Sequence, residues 1–125
     1  MKKYLLIPVL ALSMLSCAKP YVAHPGSVNT FDSQSYDFLI ATKAIIDQTK
    51  TDLANNVFSA TTAPRVKAAV NGMVAAYNIA DNAYLVYHTA MIAGGATAQQ
   101  IQDVSNSQAD VQKATQALTS AKAGS

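Results

Sequence analysis

The sequence predicts an all-α fold, an elongated up-down-up antiparallel three-helix bundle that follows a signal peptide and a short tether. Two observations carry this. Apolar residues recur at alternating three- and four-residue spacings along three long segments. Turn chemistry separates the segments, first between Asn55-Asn56 and Pro64 and then at Gly94-Gly95. Short connections force neighbouring helices to run antiparallel, and most of their stability comes from a shared apolar seam rather than from intrinsic propensity.

The first helix is expected over residues 30–55, capped by Asn29 or Thr30, with Asp32 in the first turn, where a carboxylate favours the positive end of the helix dipole. Leu39, Ile46 and Leu53 recur every seven residues, Thr42 and Thr49 fall between them, and Phe31, Phe38 and Ile45 widen the stripe.

The second helix is expected over residues 62–93, with the Thr62 hydroxyl as cap and Pro64 in the first turn, where a missing amide proton costs nothing. Val66, Val70, Met73, Tyr77, Ala80, Tyr84, Tyr87 and Met91 keep the four-three alternation of a helix that packs lengthwise. Ala69, Ala76, Ala83 and Ala90 run beside that seam, and methyl-sized side chains let a neighbouring backbone approach.

The third helix, residues 98–122, is announced by Thr97-Ala98-Gln99-Gln100, a capping box. Its seam is thinner: Ile101, Val104, Gln108, Val111, Thr115 and Leu118. Gln108 and Thr115 are expected to form polar layers facing Thr42, Thr49 or the tyrosine hydroxyls. The bundle occupies residues 29–125.

Ahead of it, residues 1–20 read MKKYLLIPVLALSMLSCAKP. Lys2 and Lys3, an apolar run from Tyr4 to Leu15 and small Ser16 form the order typical of an export signal, and the run is too short to span a bilayer. Residues 17–28 contain Pro20, Pro25 and Gly26 without periodicity, which reads as a tether. The chain's single cysteine, Cys17, cannot form an intramolecular disulfide, and a free thiol is unusual in an exported chain.

Met14-Leu15-Ser16-Cys17 resembles the lipobox of bacterial lipoproteins, with Met14 and Leu15 standing where that family usually has leucine and a small residue. The resemblance implies cleavage after residue 16 and a diacylglyceryl group on Cys17. Two or three acyl chains, at about 0.8 kcal/mol per buried methylene, make membrane attachment effectively permanent. Ala18 rather than Asp at the next position implies the outer membrane if the host is Gram-negative. The resemblance covers residues 1–17 and identifies no family for the mature domain.

Cleavage changes the charge. The precursor carries nine basic and seven acidic residues, and losing Lys2 and Lys3 leaves a formally neutral chain. No basic patch invites nucleic acid. The acidic residues are all aspartates.

Motifs for chemistry are sparse. His24 belongs to the tether and His88 to the second helix, with no His-x-x-x-His, Glu-x-x-His or cysteine cluster, so no metal site and no cofactor is expected. No Gly-x-Ser-x-Gly or Ser-x-x-Lys arrangement activates a serine, and Gly94-Gly95 lacks the lysine and hydroxyl of a phosphate loop. The reading is therefore not an enzyme.

Two features of the second helix remain. Tyr77, Tyr84, Tyr87 and His88 place hydroxyls and an imidazole toward one end, as contacts for a small ligand or as core rings that send hydroxyls to the rim. Ile79, Leu85, Val86 and Ile92 fall outside the seam, so the last turns are apolar almost all round, which asks for a cover: Tyr21 and Val22, a broader first helix, a second copy or another envelope protein.

The leading expectation is a membrane-anchored, noncatalytic envelope lipoprotein that serves as a helical scaffold or protein-interaction module. The alternatives are a periplasmic small-ligand-binding module, and a phage-derived receptor-blocking or lysis-related lipoprotein, which genomic neighbourhood would discriminate.

Overall fold

The computed structural model describes residue 23 and residues 25–123. Expectations for the signal segment, Cys17, Tyr21, Val22 and His24 fall outside the described residues. Within them the chain forms three helices, α1 (Thr30–Ala54), α2 (Ala63–Ile92) and α3 (Ala98–Lys122), and no strand. At 1.5 Å per residue, the 30 residues of α2 span about 45 Å.

Two apolar clusters establish the helix directions. Leu39 of α1 meets Ala80, Tyr84 and Tyr87 of α2 and Val104 and Val111 of α3. Farther along, Ile46 meets Val66, Val70 and Met73 of α2 and Leu118 of α3. Rising numbers in α1 and α3 thus pair with falling numbers in α2, so α2 is antiparallel to both. It packs against each neighbour, more extensively against α3, while α1 and α3 approach each other least.

The helix ends follow from local chemistry. Asn29 caps α1, its side chain accepting from the Asp32 amide at 2.8 Å. Asn56 closes α1 in the left-handed region, at φ 54°, with the Val57 amide returning to the Asp52 carbonyl at 3.0 Å. Gly94 and Gly95 stop α2 at φ values of 131° and 150° that side chains rarely adopt, and the Gly95 amide reaches the Ala90 carbonyl at 2.9 Å. Thr97 and Gln100 form the reciprocal box: the Gln100 amide donates to the Thr97 hydroxyl at 3.1 Å and the Thr97 amide to Gln100 Oε1 at 2.9 Å.

Three expectations are corrected. Thr62 does not cap α2 with its hydroxyl, because its backbone is already helical; Ser59 Oγ, one turn upstream, accepts from the Thr62 amide at 3.2 Å. Interhelical polar contact by the threonines is narrower than expected: Thr42, Thr49 and Thr115 each donate to the carbonyl four residues back, and across the helices Thr49 Oγ1 accepts from Lys122 Nζ at 3.0 Å. Thr42 and Thr115 line a groove of about 330 Å³ between α1 and α3, with Phe38, Ala41, Ile45, Gln112 and Gln116. In α3 the seam turns by one residue: Ser107 is buried where Gln108 was expected, and Ile101 is 40% exposed.

Candidate functional site

The end of the bundle where α1 begins and α2 finishes holds a buried polar cluster centred on Asp32. Asp32 is wholly buried, because it precedes Leu39 by seven residues and so occupies the same core-facing stripe. Its Oδ2 accepts from the Val28 amide at 3.1 Å. Nδ1 of His88 lies 2.8 and 2.9 Å from the two carboxylate oxygens, so that nitrogen carries the proton and donates.

Around this pair the rings interlock. Tyr84 stacks on His88 with centroids 5.6 Å apart, and its hydroxyl lies 3.5 Å from Nδ1. Burial, then the adjacent Asp32 carboxylate, pushes the Tyr84 hydroxyl well above its ordinary pKa. Phe31 meets Tyr87 edge-on at 5.2 Å, and the Asn29 side-chain amide donates to the Tyr87 hydroxyl at 3.0 Å. Asn29 therefore caps α1 with its oxygen and binds α2 with its nitrogen.

Of the four sequence-predicted ligand contacts, the structure brings together Tyr84, Tyr87 and His88. Tyr77 belongs to the seam between the two apolar clusters, and burial, then Asp81, pushes its hydroxyl pKa upward. Beside Tyr84 and His88 lies a cleft of about 170 Å³ roofed by Pro25, Gly26 and Ser27 and walled by Tyr36. Sequence reasoning missed Asp32, Asn29 and Tyr36 as members of this end. The signal was present: 32, 39, 46 and 53 form one heptad row, and a carboxylate in such a row needs a buried partner.

Chemically the cluster is satisfied within itself. Every buried side-chain nitrogen or oxygen among the described residues has a hydrogen-bond partner. Those residues contain no group of three or more His, Cys, Asp or Glu placed to hold a metal ion. What the arrangement accomplishes is attachment: three long-range side-chain contacts bind the segment entering α1 to the last turns of α2.

The second candidate region is the outer side of α2. Ile79 is 65% exposed, Leu85 52%, Val86 47% and Ile92 66%. The structure splits these residues rather than gathering them in one patch. Ile79 and Val86 line a groove of about 360 Å³ between α2 and α3 with Asn82, Ala83, Gln100, Asp103, Asn106, Ser107 and Asp110. Leu85 and Val86 border a shallower hollow with Thr89, Ala90, Ala93 and Gln100, and Ile92 lines neither. No described helix is long and apolar enough to cross a membrane.

No protein-family model matches the chain, and neither does any curated protein or solved structure.

Proposed function

We propose that this protein is a lipid-anchored, noncatalytic module of the cell envelope that presents a helical surface to a protein partner. One observation carries the reading. α2 is the central helix of the bundle, yet its outer side exposes Ile79, Leu85, Val86 and Ile92, each about half or more accessible. A helix that already buries Val66, Val70, Met73, Ala80, Tyr84 and Tyr87 gains nothing for its own folding from further apolar residues facing water. The anchor itself rests on the resemblance of Met14-Leu15-Ser16-Cys17 to a lipobox.

The test is Leu85→Ser with Val86→Ser in the full lipidated chain, crosslinked in intact membranes. The expected result is loss of the wild-type crosslinks, with stability changed by less than about 0.5 kcal/mol because both side chains are on the surface. If crosslinks, oligomeric state and stability all stay as in wild type, the surface has no such role. Incorporation of a fatty-acid probe, lost in Cys17→Ser, tests the anchor separately.

A second reading is favoured by the cleft beside Tyr36, Tyr84 and His88: a binding site for a small aromatic or apolar ligand in the periplasm. The chain would then co-purify with such a molecule, or shift its melting temperature in a metabolite and lipid panel. A Tyr84→Phe variant responding like wild type would place any binding elsewhere.

A further inference from the structure

The groove between α2 and α3 pairs an apolar wall with an acidic one in the same register. Ile79 and Val86 are seven residues apart on α2, and Asp103 and Asp110 are seven apart on α3. Because the helices are antiparallel, Val86 shares a level with Asp103 and Ile79 with Asp110, giving two apolar-acidic rungs about 10 Å apart. Asn82 and Ser107 share the level between them.

Among the described residues no lysine or arginine lines this groove. Among the described residues Asp103 is bonded by an amide, Gln99 Nε2, at 2.7 Å. Asp110 has Lys113 at 4.0 Å, with both side chains mostly exposed, a separation and setting in which the attraction is weak. The two carboxylates therefore leave a negative edge on the polar α3 side of the groove, facing Ile79, Ala83 and Val86 of α2.

From this register we infer that the groove receives an amphipathic helix with lysines or arginines flanking its apolar stripe, completing a four-helix arrangement. The inference rests on the docking function proposed above and specifies the partner's chemistry. Apolar residues at heptad spacing on the incoming helix would cover Ile79 and Val86, while cations one side chain away would meet Asp103 and Asp110. A second copy docked symmetrically through the same groove would set Asp103 and Asp110 against their own counterparts, a like-charge contact that disfavours self-pairing. Anionic lipid is disfavoured for the same reason.

The experiment uses the full lipidated chain in phosphatidylcholine nanodiscs, with empty nanodiscs as the blank for peptide adsorbed to lipid. The probes are two labelled helical peptides of about three heptads. Both carry leucines along one stripe, and the flanks are lysine in one and glutamate in the other. Fluorescence anisotropy reads affinity, and a photoreactive group at the peptide centre maps the contact by mass spectrometry.

The lysine peptide is expected to bind at least about ten-fold more tightly than the glutamate peptide and to crosslink within residues 79–86 and 100–110. Asp103→Asn with Asp110→Asn is expected to weaken it about five-fold, whereas Asp52→Asn, far from the groove, leaves it unchanged. Equal binding of the two peptides, no binding of either, crosslinks elsewhere, or copies of the chain crosslinked to each other through the groove would each overturn the inference. Should the lysine peptide fail while Leu85→Ser/Val86→Ser still abolishes the membrane crosslinks, the docking function stands and only the partner's chemistry is wrong.

Discussion

At the end where α1 begins, Tyr84 stacks on the imidazole of a carboxylate–imidazole pair and Tyr87 is held by Asn29, whereas beyond the bundle's middle Ile46, Val66, Val70, Met73 and Leu118 meet through aliphatic contact. The far region has one long-range side-chain bond of comparable quality, from Lys122 Nζ to Thr49 Oγ1 at 3.0 Å. Its energetics come from apolar area and shape, which tolerate repacking by side chains of similar volume. The near end is built from directional bonds that work only with the right atoms in place. The difference teaches where precision is invested: in fixing the segment that leads from the N-terminal side into the bundle, so that the helices do not swivel against it.

The comparison breaks most visibly if the imidazole is removed. His88→Ala takes the imidazole donor from a carboxylate that is wholly buried in the wild type and whose described donor from outside α2 is the Val28 amide, and the expected loss is about 3 kcal/mol in a urea titration followed by far-ultraviolet circular dichroism. A loss below about 1 kcal/mol would mean that water or rearrangement satisfies the carboxylate and that the near end is not the directional clamp described above.

Isosteric replacements sharpen the contrast at a smaller amplitude. Asp32→Asn keeps the shape and removes the charge, for an expected cost of about 2 kcal/mol, while Met73→Leu, also fully buried, should cost less than about 1 kcal/mol. Equal costs would erase the distinction between the two regions.

The smallest effect concerns alkaline pH. Tyr84 has its pKa raised above the ordinary 10.0 by burial and then by Asp32, so as pH climbs the unfolded chain releases this proton before the folded one does. Its contribution is complete below about pH 10 and falls as pH rises toward the folded-state value. Tyr84→Phe should therefore flatten the alkaline limb of the stability curve. An unchanged slope would assign that limb to other groups, Tyr77 first among them.

Much of the bundle was legible because its determinants are local and periodic. Leu39 and Ile46 announced the α1 stripe, Thr97 with Gln100 announced the start of α3, and Gly94-Gly95 announced the end of α2. Thr62 misled because a hydroxyl caps only from an extended backbone, and the turn beginning at Ser59 had already curled the chain. Ile79, Leu85, Val86 and Ile92 are exposed, and their division between two sides of α2 depends on where α3 lies against it. Asp32 read as a solvated dipole partner, since its helix-terminal position explained it without any tertiary contact.

The sequence by itself determined the number of helices, their limits and the seam that α2 buries, because hydrogen-bonded periodicity and terminal caps act within a few residues. Only the tertiary structure decided that Asp32 meets His88, 56 positions away, and that Asp103 and Asp110 stand level with Val86 and Ile79. Such pairings depend on the relative rotation and axial offset of packed helices. Those are set by the summed fit of many side chains, and no single stretch of the chain encodes them.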